Sequence, residues 1–406
     1  MSKLGNIKIY KLRNPIREYS WGSKTFISNL LGKDENSHDP QAEMWMGSHP
    51  LAPSRIKLNR KEISLSAVIS DDPVTMLGKK IAEKYNNELP FLFKVLAAAS
   101  PLSIQAHPNK TQAEKGFMLE NNKNIKLDSP QRTYKDKNHK PEIICALTPF
   151  ELMCEFQPIN KIIERLEYLK LEDLKLFISE LKIDSSIKNL KKIFTTIMNK
   201  NDSNKIKQIS NLIGKFKDLR PRDEQEVLIF KWIAKLAAIY PKDMGVYSPL
   251  FLNIVKLKPA EAIFINAGVL HSYLSGCGVE VMANSDNVLR GGLTSKKIDI
   301  PELLRILNFD YNGLKWISPA INNYEQIYKT PAVEFQLSKI TIKDKQIYEN
   351  SKILSAEIIL FTEGSGVIKW SDSSLEVKQG DSVFIPFAIT NYEIVGNLEF
   401  FRVIVP

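Results

Sequence analysis

The chain reads as a mainly β protein, two jelly-roll barrels interrupted by an all-helical insertion. Three observations predict this. Apolar residues recur at helical spacing over 157–242, whereas the segments on either side show short apolar runs punctuated by Gly, Pro, Asn and Asp. A sixteen-residue block at 258–273 repeats without gaps at 378–393. The length of 406 residues accommodates two or three domains.

Bulk properties narrow the class. Hydrophobic content is 43% and charged content 25%, ordinary for a globular protein with full-sized cores. No apolar run is long enough to span a membrane. The opening MSKLGNIKIYKLRN has no apolar h-region and no cleavage site, so no secretory leader is expected. Cys145, Cys154 and Cys277 show no C-x-x-C pairing, which suits a reduced, cytoplasmic protein with buried thiols. The net charge is +10, but the lysines are scattered and no RNP-like aromatic motif accompanies them. That balance argues against a nucleic-acid partner and favours an anionic small-molecule substrate.

In chain order, Trp21 in EYSWGS and Trp45 in AEMWMGSHP lie beside Gly and Ser, at strand ends and turns. His49, before Pro50, reads as a packed or capping histidine. Residues 62–88 read as a polar connection with a short helix. ELPFLFKVLAAASPLSIQAHP then gives two buried strands broken at Ser100-Pro101. Lys94, inside the first, needs an anion or a route to water. The second carries Gln105 and His107, two apart and therefore on one face. Residues 109–138 are polar and read as a long surface loop. NHKPEIICALTPFELMCEF returns to strand alternation with Glu142 at its start.

Over 157–242 the period changes: Ile162, Leu166 and Leu169, then Ile193, Phe194 and Ile197, fall on helical faces. Pro221 and the acidic turn Asp223–Glu226 announce the last helix, through Trp232 and Leu236. Strands resume after YSPLFLN. The repeat aligns Lys258 with Lys378, Glu261 with Asp381 and Phe264-Ile265 with Phe384-Ile385, the hairpin of a cupin jelly roll. His271 falls opposite Asn391, so only the first barrel is expected to be metallated. The division is then a catalytic cupin at 1–156 plus 243–317, a helical insertion at 157–242 and a metal-free cupin at 318–406.

Gln105, His107, Glu142 and His271 are the candidate ligands of one divalent metal. Two imidazoles, a carboxylate and an amide oxygen suit Zn²⁺, with Mn²⁺, Fe²⁺ or Co²⁺ as alternatives. Spacing alone carries this weakly; the surrounding blocks carry it further.

YSWG, AEMWMGSHP, LSIQAHPNK, HKPE and AGVLHSYLSGCGVEVMANSDNVLRGGLT resemble the zinc-dependent type I mannose-6-phosphate isomerases along almost the whole chain. The resemblance implies that Gln105, His107, Glu142 and His271 bind one Zn²⁺ and that Arg290 is catalytic. It also implies the same architecture, and a monomer as the default. Ala260 stands where that family usually has Gly, and Glu155-Phe156-Gln157 where Gly-Phe-Arg is usual. Ser272, Gly291 and Ser295 replace commoner Ala, Ala and Pro.

Aldose–ketose isomerisation moves a proton between C2 and C1 through an enediol, so it needs a base and a positive group for the developing charge. Glu280 is the leading base and Asp286 the second. His139 and Lys140 are candidates for ring opening or proton shuttling. Ser103, Lys94 and Lys296 are candidates for the phosphate, with Trp21 as pocket wall. The competing readings are a sugar-phosphate-binding regulatory cupin without turnover, and a metal-dependent oxygenase. The intact ligand set argues against the first and the glutamine against the second.

Overall fold

The computed structural model describes residues 7–33, 35–58, 61–199, 204–311, 313–351 and 353–406. Residues 1–6, the start of the expected catalytic unit, lie outside these. Among the described residues the strands form an eleven-stranded sheet, a nine-stranded sheet and a two-stranded hairpin, all antiparallel. The chain is thus mainly β, with helices concentrated between residues 159 and 239. No helix is long and apolar enough to cross a membrane.

The eleven-stranded sheet is organised around one long strand, His271–Ala283, which pairs with Phe91–Ala98, Glu142–Ala146, Phe150–Phe156 and Ile104–Ala106. Alternation gives its neighbours two faces. Lys94 and Leu96, Glu142 and Ile144, and Glu280 and Met282 share one. Phe93 and Val95, Ile143 and Cys145, and Val279 and Val281 share the other, and pack in one cluster with Ile358, Phe384, Phe401 and Val403 of the nine-stranded sheet. The first strand among the described residues, Tyr10–Lys11, pairs with Ser382–Ile385, so this segment adds to the nine-stranded sheet.

The repeat is visible as hydrogen bonds. Lys258 N–H donates to Glu261 Oε2 at 2.7 Å, and Lys378 N–H to Asp381 Oδ2 at 3.0 Å. Each turn leads into a short buried strand, Ala262–Ile265 or Ser382–Ile385, and then a long one, His271–Ala283 or Tyr392–Ile404.

Among the described residues five α-helices lie between Ile159 and Ile239, where the apolar spacing predicts helix. The last, Glu224–Ile239, is capped by Asp223, whose side chain accepts from Glu226 N–H. Two expectations are corrected. The segment 109–138 is not wholly a loop: Lys110–Asn122 is helical, because Asn109 and Gln112 form a reciprocal capping box despite a polar composition that hides any apolar stripe. The connection 62–88 holds the end of a strand, Lys61–Ser64, and three short helices, Leu65–Asp71, Pro73–Leu77 and Lys79–Lys84, in place of one. Ser64 caps the first, and capping by Asp72 before Pro73 and a turn at Gly78 break what would otherwise be a single element.

Two departures from the family pattern explain themselves in the backbone. Ala260 and Glu155, both at positions where Gly is usual, adopt φ +68° and +62°. The left-handed conformation is retained although each residue carries a Cβ. Gln157 donates to Leu252 O at 2.5 Å and accepts from the Arg165 guanidinium, tying the strand to the first helix of the insertion.

Candidate metal centre and surrounding cavity

Three segments distant in sequence meet at one point. The ligand atoms of His107, Glu142 and His271 all lie within 4.8 Å of one another, and all three residues are buried. His107 Nε2 is 3.5 Å from Glu142 Oε1, and His271 Nε2 is 3.4 Å from Glu142 Oε2. The Gln105 amide stands 3.5 Å from His271 Nε2 through its Nε2; rotating the amide about χ3 turns the oxygen to the same point. All four candidate ligands therefore converge.

The tautomers are set from behind. His107 Nδ1 donates to Asn287 O at 2.7 Å and His271 Nδ1 to Val269 O at 3.0 Å, leaving both Nε2 lone pairs aimed at the cluster. Burial pushes the His107 imidazole down to about 4, so it is neutral at physiological pH. Burial alone would raise Glu142, but His107 and Lys140 outweigh it and hold the carboxyl well below the usual carboxylate range. His107 Nε2 and Glu142 Oε2 are buried without a hydrogen-bond partner. Two orphaned acceptors facing each other in a dry site are what a bound cation would satisfy. The donor set fits a divalent metal of zinc type.

Beside this cluster opens a cavity of about 1050 Å³, which Gln105 and Glu142 line. Its wall includes Trp21, Lys94, Ser103, Lys140, Glu280, Asp286, Arg290 and Lys296, so eight of the nine predicted site residues outside the metal set reach it. The ninth, His139, turns its Nε2 to Glu334 Oε1 at 2.8 Å and is not among the lining residues. Lys140 Nζ sits 3.3 Å from Glu142 Oε1.

Glu280 is 2% exposed, and both its oxygens are engaged. Lys94 Nζ donates to Oε2 and Tyr273 O–H to Oε1, each at 2.9 Å. Glu43 Oε1 lies 3.7 Å from the same ammonium. Burial would lower the Lys94 ammonium, but these two carboxylates outweigh it and push it up. That answers how a lysine sits inside a buried strand: it has two carboxylate partners at the cavity wall.

Arg290 is half-buried, on the strand Leu289–Gly292, directly opposite Gln105 in register. Burial lowers its guanidinium, and among the described residues neither it nor Lys296 forms a salt bridge. Burial and the nearby Arg290 also lower Lys296, which lies over the Tyr19 ring at 5.7 Å. Arg290 and Lys296 thus bring two positive side chains to the cavity wall outside any salt bridge among the described residues. The NSDN turn is held by Asp136, which accepts from Ser285 Oγ at 2.9 Å and Asp286 N–H at 2.7 Å.

Sequence reasoning did not single out Tyr273, Glu43 or Asp136. Glu43 could have been found: with Trp45 two residues on, it shares the inward face of a strand. His49, read as packed, is buried against Trp45 and also lines the cavity, its Nε2 3.6 Å from Asp286 Oδ1.

Comparison with known proteins agrees along the chain. The family model for the phosphomannose isomerase type I catalytic domain matches residues 9–159, that for its helical insertion domain 169–252, and that for the mannose-6-phosphate isomerase cupin domain 325–405. The mannose-6-phosphate isomerase of Escherichia coli K12 is 39% identical over 378 residues, 92% of this chain and 94% of that protein. The Homo sapiens mannose-6-phosphate isomerase is 32% identical over 407 residues, 93% of each. A crystal structure of zinc-bound mannose 6-phosphate isomerase superposes with a TM-score of 0.90 at 36% identity, covering 98% of this chain and 99% of that one. With three successive family models matched and identity sustained over nine-tenths of its length, the chain belongs to the type I phosphomannose isomerase family.

Proposed function

We infer that the chain is a metal-dependent aldose–ketose isomerase that interconverts D-mannose 6-phosphate and D-fructose 6-phosphate. The observation that carries this is the convergence of His107, Glu142, His271 and the Gln105 amide at one point, of which Gln105 and Glu142 face a cavity that Arg290 and Lys296 also line. Relatives that share nine-tenths of the chain bear the name of this activity. One Zn²⁺ held by those four side chains would supply Lewis acidity and orient the sugar's O1 and O2.

The remaining work falls to the chain's own residues. Glu280 is the proposed base, its carboxylate poised between Lys94 and Tyr273, which can hold a proton on either side of it. Asp286 is the second candidate. Arg290 stabilises the negative charge that develops on the enediol oxygens, its charge not spent on a protein carboxylate. Of the neighbours His139 and Lys140, Lys140 lines the cavity and is the better placed to open the sugar ring. Lys296 and Ser103 receive the phosphate, with Lys94 the more deeply committed to its carboxylates, and Trp21 closes the wall.

We place the catalytic unit at 1–156 plus 243–317, the insertion at 157–242 and a second unit at 318–406, each β unit a jelly roll. Three buried, unpaired cysteines support a reducing cytoplasmic setting, and a monomer is the simplest state for a site built from one chain. The test is turnover of mannose 6-phosphate, read as fructose 6-phosphate in a coupled assay, with metal content measured on the same protein. One metal per chain and activity abolished by chelation are expected. Turnover that survives complete metal removal overturns the metal's part. Binding of mannose 6-phosphate without product favours the regulatory alternative.

A further inference from the structure

The helical insertion returns to the sheet through residues 240–243, and Ile239, Tyr240, Pro241, Lys242 and Asp243 line the cavity. Asp243 is more than a wall. Its Oδ1 accepts from Gly245 N–H at 2.7 Å, capping the short 3₁₀ segment Met244–Leu250. Its Oδ2 accepts from Leu293 N–H, also at 2.7 Å, fifty residues away and one step beyond the strand that carries Arg290.

That strand needs such a tether. Leu289 pairs with Ala106 and Arg290 with Gln105, but Gly292 pairs with Ile104, so Gly291 is an extra residue in a bulge immediately after Arg290. A bulge re-aims the side chains beside it, and its position decides which face they take. Just past it, Leu293 has φ +55°, a conformation leucine seldom adopts and that persists only where surroundings hold it. The bond that holds its N–H is the one to Asp243. A Cβ on Gly292 would meet Asp243 Oδ1 at 2.9 Å, so the carboxylate packs directly on the bulge.

We propose that Asp243 is a positioning residue: it fixes the bulge after Arg290 and so couples the exit of the helical insertion to the aim of the guanidinium beside Gln105. This rests on the reading of Arg290 as the group that stabilises developing charge. The insertion then acts on the reaction through one carboxylate and two backbone N–H groups.

The test is a double-mutant cycle on metal-loaded protein with Asp243→Ala, Arg290→Ala and the double variant. Asp243→Ala should lower kcat about 10- to 100-fold, the size expected for a misplacement near 1 Å, with a smaller change in KM. In the Arg290→Ala background the same change should cost nothing further in kcat, because the group it aims is gone. Asp243→Asn, which keeps one acceptor oxygen, should fall between, and it carries the cycle if the alanine variant does not fold. Multiplying effects in the cycle, or a wild-type kcat for Asp243→Ala, would overturn the proposal. Arg290→Ala with undiminished kcat would instead sink the role of Arg290 itself.

Discussion

Replacing Glu280 with glutamine separates a base from a merely structural ion pair. The Lys94 ammonium lies in a dry strand between Glu280 Oε2 at 2.9 Å and Glu43 Oε1 at 3.7 Å. At an effective dielectric of about 20, those separations correspond to about 6 and about 4.5 kcal/mol of attraction. Glu280→Gln removes the larger and leaves the buried ammonium to Glu43 alone, so a net loss of about 3–5 kcal/mol is expected in denaturant unfolding. The amide still accepts from Tyr273 and adds almost no volume, so packing contributes little. If Glu280 is the base, kcat also falls by about 10²–10⁴-fold. Lys94→Met combined with Glu280→Leu dissects the two effects. Exchanging both charges for apolar groups of similar volume should recover most of the stability, Glu43 keeping the Trp45 N–H at 2.8 Å, while activity stays lost. A folded, metal-loaded Glu280→Gln protein with undiminished kcat would refute the assignment and leave Asp286 as the base.

Other outcomes follow from the same geometry. In the metal-free protein His107 stays neutral down to about 4 in the fold but protonates near 6.5 once unfolded. The unfolded chain therefore binds more protons between those values, and stability should fall with pH across that window by up to about 3 kcal/mol. The depressed Glu142 acts in the same direction at lower pH; equilibrium unfolding of the chelated protein from pH 7 to 4 reads the histidine, and its extension below pH 4 reads the carboxylate. Excess zinc should raise the melting temperature and push the acid limb down, since it binds only the deprotonated site. Ala260→Gly relieves a left-handed alanine at φ +68° and should stabilise by about 1 kcal/mol, checked by the midpoint of denaturant unfolding without change in kcat.

How much of this is legible in sequence depends on how local the cause is. The helices over 159–239 and the repeated hairpins follow from periodicity and turn chemistry, which act within a few residues. The ligand set is legible only because its blocks resemble a known family, since Gln105 pairs with His271 across two strands while Glu142 and His107 reach the same point from segments distant in sequence. The helix Lys110–Asn122 escapes because its stabilising signal is a cap, not an apolar stripe. The Lys94–Glu280–Tyr273 network and the Asp243 tether escape for another reason: each joins segments separated by scores of residues, and neither has a spacing to read.

Among the described residues the nine-stranded sheet carries no cluster of metal-ligating side chains, yet it backs the site. Each strand that sends a polar side chain inward sends its alternate residues outward to a shared core: Val95 behind Lys94, Ile143 behind Glu142, Val279 and Val281 behind Glu280. Phe401, Val403, Ile358 and Phe384 fill the other half of that core, and Tyr328 O–H reaches Ala260 O at 2.8 Å across it. That sheet's own interior is closed by Arg402 and Glu357, 2.7 Å apart and joined by Tyr392. Such a support lends rigidity, because inward side chains hold position only while the outward ones of the same strands keep their packing. Phe401→Ala tests this far from any ligand. It should cost about 3–5 kcal/mol, and it should do so in the same transition that zinc stabilises. Two separable transitions, zinc shifting one and Phe401→Ala only the other, would show that the sheets stand independently and that the backing role is wrong.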